Sequence, residues 1–433
     1  MLTHDYLEIN SKNHLVIGGC DSVELAAHYG TPLYVMDENR IRENMRQYKK
    51  AFESFYDGNG LPLYASKAFS AVAMYKLAGE EGFGVDVVSG GELYTALKAG
   101  FDASKIVFHG NNKSSDEIRM AIENGVGRIV TDSFYELENL ETICRELDKK
   151  VKILIRVKPG VDAHTHEFIS TGHIDCKFGF RIDTGEAEQA IKTAMESNRI
   201  ELMGLHCHIG SQIFLLDPFE LTAEVMMNFY SYLKEKYGYC FPELNLGGGF
   251  GIKYVEGDSP VDYGSYIEAV SVVVKKICSE KGLDIPFIYM EPGRSIVGDA
   301  GTTLYTAGVI KDIEGARKYV SIDGGMGDNP RYMLYESEYE AIVANRANSE
   351  PVETATLCGK CCESGDIIIH DGILPEIESG DIVAVMSTGA YNYSMASNYN
   401  RLPRPAVVFV SDGKSRVAVK RETYEDLIKN DVF

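Results

Sequence analysis

Lys67 closes the short apolar run Pro62-Leu-Tyr-Ala-Ser-Lys-Ala68, and four further signatures sit at the ends of similar runs. They are His206-Cys-His-Ile-Gly-Ser-Gln212, Gly247-Gly-Gly-Phe-Gly251, Glu291-Pro-Gly-Arg294 and Cys361-Cys-Glu-Ser-Gly-Asp366. A lysine amine can form a Schiff base with a carbonyl. Consecutive glycines let backbone N–H groups approach a phosphate, and a carboxylate in a turn can keep a ring nitrogen protonated. Together these residue types point to pyridoxal phosphate chemistry.

Each signature also has a plainer use. A lysine after a strand is often a solvated cap, and Gly247 to Gly251 could make a tight turn, although three consecutive glycines exceed what a turn needs. Glu291 and Arg294 could form a local ion pair. In the cofactor reading, Glu291 instead serves the pyridine nitrogen, and Arg294 and Arg331 hold carboxylates through their planar forks. A zinc site at His206 and His208 would need more ligands on the same side, and no metal is expected. Cys358, Cys361 and Cys362 resemble half of a metal site without a second cysteine pair; one of them, beside Glu363, reads better as an exposed thiol acting as an acid. His164 and His166 lie in a polar segment and are given no role.

The formal net charge of -21, from 43 Lys+Arg against 64 Asp+Glu, repels phosphate backbones and anionic lipid. Nucleic acid and membrane are therefore not expected as partners. No apolar run spans a bilayer, and the start Met1-Leu-Thr-His-Asp-Tyr6 has no signal-peptide character, so a cytoplasmic location is expected. Nine scattered cysteines read as reduced thiols rather than a disulfide framework.

These residues need strands to present them. After residue 60, apolar runs at 61–65, 84–88, 105–108, 128–131, 151–157, 201–207, 243–246 and 286–290 alternate with amphipathic stretches, the pattern of a (β/α)8 barrel. The polar signatures of this half fall at or just past the C-terminal ends of those runs, where barrel enzymes build active sites. After about Gly298 the texture changes to short strands with turn signals, which predicts a second, all-β domain. The expected division is 1–30 as a segment of its own, 31–297 as the barrel and 298–433 as the β domain.

Tyr64-Ala-Ser-Lys-Ala68, His109-Gly-Asn-Asn-Lys113, Thr171-Gly-His-Ile-Asp-Cys-Lys-Phe-Gly-Phe180, His208-Ile-Gly-Ser-Gln212, Gly247 to Gly251, Glu291 to Arg294 and Cys362-Glu-Ser-Gly-Asp366 resemble the diaminopimelate decarboxylases. These belong to the alanine-racemase-like, fold type III pyridoxal phosphate enzymes, a class that also holds ornithine and arginine decarboxylases. The likeness runs nearly end to end. It implies that residues 1–30 join the C-terminal β domain, and that meso-2,6-diaminopimelate is decarboxylated to L-lysine. It also implies Lys67 as the Schiff-base lysine, His208 against the cofactor ring, and Glu291 at the pyridine nitrogen. Asp86, Ser211, Gly248, Gly249, Gly293, Arg294 and Tyr391 complete the implied cofactor site. Arg294, Arg331, Tyr335, Glu363 and Tyr391 would contact substrate and Cys362 would donate the proton. The family is built as a homodimer with shared active sites, so Cys362 and Glu363 would act in the partner's site. Phe69 departs from the usual Lys-Ala-Asn of the family.

The alternatives are a decarboxylase of another basic amino acid (ornithine, arginine or carboxynorspermidine), a catalytically silent homologue, and a racemase on the same fold. Two arginines and a glutamate suit a diamino dicarboxylic acid, whose distal head carries both a carboxylate and an ammonium. Intact Lys67, Glu291 and Cys362 argue against a silent copy.

Overall fold

Three helices of the first half begin with the same Ser-x-x-Glu signature: Ser89 to Glu92, Ser114 to Glu117 and Ser133 to Glu136. In the computed structural model, which describes residues 6–161 and 176–432, each serine oxygen accepts the N–H of its glutamate at 3.2 Å. Such caps satisfy donors that the first helical turn would otherwise leave unbonded. The glutamates do further work. Glu92 accepts the N–H of Val88, Glu117 accepts that of Gly90, and Glu136 pairs with Lys113 at 2.6 Å, tying each helix start to a neighbouring loop. Buried Lys113 also donates to the carbonyls of Gly110 and Val130, so its charge is satisfied on all sides.

His164, His166 and the segment from Thr171 to Asp175 lie outside the described residues. The described chain divides into two compact units.

One unit, residues 44–251 and 260–293, is the expected barrel. Its strands are β1 (Gly60–Ala65), β2 (Gly84–Val87), β3 (Ile106–Phe108), β4 (Arg128–Thr131), β5 (Val151–Lys158), β6 (Ile200–His206), β7 (Glu243–Asn245) and β8 (Phe287–Met290). Each pairs in parallel with the next, and β8 pairs with β1, which closes the sheet. The bounds differ from those read in the sequence by one residue at most. Leu63, Val107, Val130, Leu154 and Tyr289, from five different strands, meet in one buried cluster. Because all eight strands run the same way, their C-terminal ends share one rim.

The other unit, residues 1–43, 252–259 and 294–433, is mostly sheet with a few short helices. Its long strand Gly301–Ile313 pairs antiparallel with Arg317–Ile322 and Ile382–Val385. Strand Leu33–Asp37 joins this sheet, antiparallel to Gly301–Ile313 and parallel to Ala406–Ser411. The expectation began the barrel at residue 31, whereas the barrel unit begins at Asn44. The apolar run at 33–37 finds its partners in strands that begin only at Gly301 and Ala406, a pairing invisible to local pattern. Leu15 and Ile17, in a three-stranded N-terminal sheet, pack against Leu304 and Val408.

All nine cysteines are free thiols. Among the described residues no helix is long and apolar enough to cross a membrane.

Asp328 is buried in the sheet unit, where it accepts the Tyr305 hydroxyl at 2.6 Å and the Gly325 N–H at 2.9 Å. Burial pushes its carboxyl up to about 7, with Asp366 and Asp323 adding to the rise. The folded state thus favours the protonated form. That contribution is full below about pH 4, the unfolded value, and is lost as pH rises through about 7. Asp328→Asn should flatten the decline in unfolding free energy across this window by up to a few kcal/mol in urea titrations. Equal declines in both proteins would rule Asp328 out as the source.

Candidate active site

The barrel rim gathers the titratable residues. Lys67 lies two residues past β1 in the turn Ser66–Ala68, and its side chain is exposed. Ser66 donates to Glu92 at 2.9 Å, and the Tyr64 hydroxyl donates to the Phe69 carbonyl at 2.9 Å, so the turn is fixed on both sides of the lysine. Phe69 is buried and supports the turn through that carbonyl.

Asp86 of β2, His109 just past β3, His206 at the end of β6 and Glu291 just past β8 are all buried. His109 Nε2 lies 2.9 Å from one Glu291 oxygen and 3.8 Å from Asp86; His206 Nε2 lies 3.5 Å from the other Glu291 oxygen. Asn245, ending β7, donates its amide to Glu291 at 2.7 Å and accepts the Gly247 N–H with its oxygen. Burial alone would raise the Glu291 carboxyl, but the two imidazoles outweigh it and hold Glu291 well below the usual range. Asp86 goes the other way, raised by burial. Burial drives His206 down to about 3, so it is neutral, whereas Asp86 and Glu291 overcome burial at His109 and raise it. Ligand atoms of His109, His206 and Glu291 come within 4.8 Å of one another. That geometry could hold a metal, yet it also describes an anionic carboxylate clamped by an amide and two imidazoles.

His206 and His208 thus separate in role. β6 ends at His206, and His208 lies beyond it in the loop, half-buried, accepting the Gly248 N–H with Nδ1 at 3.1 Å. Its surroundings and the Lys67 ammonium both favour its neutral form.

The glycine run has no room for side chains. A Cβ on Gly247, Gly248 or Gly249 would stand 2.6, 2.1 or 2.5 Å from the carbonyl oxygens of Cys207, Glu291 and Gly210, respectively. Gly249 also has φ +115°, which L side chains rarely adopt. Ser211 is half-buried in the loop after β6. Gly293 packs so closely that a Cβ would meet that of Ala65 at 2.9 Å. An amine, a buried anionic carboxylate, a neutral imidazole and a bare backbone cradle form the donor set that pyridoxal phosphate requires.

The sheet unit holds a second cluster. Arg294 and Arg331 are both buried. Arg294 donates to the Tyr254 hydroxyl at 2.5 Å, and its guanidinium carbon is 4.8 Å from the Tyr391 ring centre. That of Arg331 lies 5.3, 5.4 and 5.9 Å from Tyr335, Tyr391 and Tyr254, within cation–π range. Arg331 donates to Ser337 at 3.1 Å, while its Nε has no partner and no carboxylate pairs with it among the described residues. Tyr391 has φ +71°, a strained setting for an aromatic residue. Cys362 and Glu363 are exposed in the loop between strands Glu353–Cys358 and Ile367–Leu374.

Sequence reasoning missed Asn245, Tyr254 and Tyr339. Asn245 carried a signal, a polar residue inside the apolar Leu244-Asn-Leu246. Tyr254 and Tyr339, whose rings meet edge-on at 5.6 Å, carried none.

Residues 38–298 match the family of pyridoxal-dependent decarboxylases, pyridoxal binding domain. The diaminopimelate decarboxylase of Bacillus subtilis is 53% identical over 435 residues, covering 100% of this chain and 98% of that protein. The crystal structure of diaminopimelate decarboxylase from M. jannaschii in co-complex with L-lysine is 37% identical, with a TM-score of 0.93 over 100% of this chain and 99% of that one. The Helicobacter pylori diaminopimelate decarboxylase, also complexed with L-lysine, is 33% identical, with a TM-score of 0.86 over 94% and 98% of the two chains.

The cradle predicts that Gly249→Ala weakens pyridoxal phosphate binding to apoprotein tenfold or more, measured by absorbance titration. Parent-like affinity in the variant would contradict the cradle.

Proposed function

The chain belongs to the diaminopimelate decarboxylase family, and from that membership we propose how its residues divide the work. The reaction is the pyridoxal phosphate-dependent decarboxylation of meso-2,6-diaminopimelate to L-lysine and CO2. When bound, pyridoxal phosphate supplies an electron sink for the bonding pair that the departing carboxylate leaves behind.

Lys67 would attach the cofactor, with Gly248, Gly249, Ser211 and Gly293 around its phosphate and His208 against its ring. Glu291, kept anionic by His109 and His206, would hold a proton on the ring nitrogen, and Asp86 would support His109. A neutral His208 adds no positive charge beside that nitrogen. Arg294 and Arg331, with Tyr335 and Tyr391, would take substrate carboxylate, and Glu363 the distal ammonium. Cys362 would deliver a proton to the α-carbon after CO2 leaves.

The observation that carries the substrate assignment is Arg331: a buried guanidinium among tyrosine rings, with no carboxylate among the described residues to neutralise it. Burying a cation without an anionic partner is costly, and a substrate with a second carboxylate supplies that partner. Ornithine would leave it unpaired.

The working form is a homodimer in which Cys362 and Glu363 serve the partner's site. Their exposure in one chain supports this, because an acid and a charge partner gain strength only where water is excluded. The location is the cytoplasm, whose reducing conditions suit nine free thiols.

Lys67→Ala should lower turnover by about three orders of magnitude or more, roughly 4 kcal/mol, and should abolish covalent retention of cofactor after borohydride reduction, read by mass spectrometry. Retained turnover would overturn the assignment. Mixing Lys67→Ala with Cys362→Ala subunits should restore activity that neither variant has alone, since a mixed dimer holds one complete site. No restoration would place Cys362 in its own chain's site.

A further inference from the structure

The loop bearing Cys362 and Glu363 combines exposed side chains with a pinned main chain. Cys362, Glu363 and Ser364 all face solvent. Asp366, two residues past Ser364, is buried; one carboxylate oxygen accepts the N–H of Met326 at 2.5 Å and the other that of Cys361 at 2.7 Å. Its carbonyl accepts the Gly359 N–H at 2.9 Å. Two glycines make room for this carboxylate: a Cβ on Gly359 or Gly325 would stand 2.2 or 2.5 Å from its oxygens. The Lys360 N–H is bonded to the Gly324 carbonyl at 2.9 Å, and that of Glu363 to the Cys361 carbonyl at 2.8 Å.

From the other side, Asn400 accepts the Cys362 N–H with its side-chain oxygen at 2.6 Å. Asn400 sits in the turn Tyr399–Arg401 with φ +53°, a conformation that asparagine and glycine tolerate. The N–H groups of residues 359 to 363 are thus all bonded before any substrate arrives.

We propose that Asp366 and Asn400 are positioning residues that fix the backbone on which Cys362 and Glu363 are presented, from beneath and from the flank respectively. Ordering one residue's backbone costs about 1–2 kcal/mol. A loop already ordered spares that cost at the moment of reaction and keeps the thiol within the narrow range of directions that proton delivery needs. Asp366 is the internal anchor of the Cys-Glu-Ser-Gly-Asp motif. Asn400 comes from a separate turn almost forty residues away, with no motif linking it to Cys362. The inference rests on the reading that Cys362 and Glu363 act in the reaction.

The test uses the full-length, cofactor-loaded enzyme with Asn400→Gly, Asn400→Asp and Cys362→Ala side by side. Glycine keeps the left-handed backbone and removes the acceptor; aspartate keeps an acceptor oxygen. Three readouts are taken: kcat and KM for meso-diaminopimelate, the alkylation rate of Cys362 mapped by mass spectrometry, and the thermal midpoint. Expected are a kcat loss of tenfold or more and an altered Cys362 alkylation rate in Asn400→Gly at an unchanged midpoint, with both recovered in Asn400→Asp. If Cys362→Ala is impaired while Asn400→Gly turns over like the parent, the positioning role is overturned and the Cys362 assignment stands. Loss in both Asn400 variants with unaltered alkylation would likewise overturn it. Parent-like turnover in Cys362→Ala would remove the assignment itself, and this inference with it.

Discussion

The ionised carboxylate of Glu291 is buried at the rim of the barrel, and the rest of that rim is arranged to keep it there. A charge so placed is unfavourable unless it is paired and hydrogen-bonded. Its partners come from separate strands: His109 after β3, His206 at the end of β6 and Asn245 at the end of β7, while Glu291 itself follows β8. Only a closed parallel sheet brings these strand ends to one rim. Asn245 links the clamp to the glycine run, since one end of its amide donates to Glu291 while the other accepts the Gly247 N–H. The bulky packing of Leu63, Val107, Val130 and Leu154 below makes the rim rigid enough to hold such distances.

The sheet unit solves the opposite electrostatic problem. There two buried guanidinium groups, those of Arg294 and Arg331, lie against tyrosine faces. A protein carboxylate at Arg331 would have stabilised the empty fold while competing with an anionic ligand. The tyrosines hold the guanidinium without neutralising it. The chain passes from the barrel unit to the sheet unit between Gly293 and Arg294, so the turn carrying Glu291 also starts the segment carrying the first of the two arginines. One four-residue signature thereby fixes a negative and a positive group in the same stretch of backbone.

How much of this was legible in the sequence follows from how local each feature is. The eight strands, the serine-capped helices and Lys67 past β1 are written in neighbouring residues, through periodicity and capping. The tight glycine run was legible because three adjacent glycines exceed what a turn needs. The boundary at residue 31 missed the strand Leu33–Asp37, which only its pairing with residues 301–304 and 406–410 assigns to the sheet unit. The pinning of Cys362 by Asn400 and the packing of Tyr254 on Tyr339 depend on contacts distant in sequence, so no window of residues could have shown them. His206 belongs to the same group: its role appears only once Glu291, 85 positions later, is brought beside it.

Substrate choice tests the role of Arg331 most directly, because its buried guanidinium pairs with no carboxylate among the described residues. Purified, cofactor-loaded protein should be offered meso-diaminopimelate, L-ornithine, L-arginine and L-lysine in parallel, with CO2 and amine product both quantified. Release from meso-diaminopimelate alone, with L-lysine formed in equal amount, is the predicted result. Comparable CO2 release from ornithine or arginine would contradict the account, since neither offers Arg331 the second carboxylate.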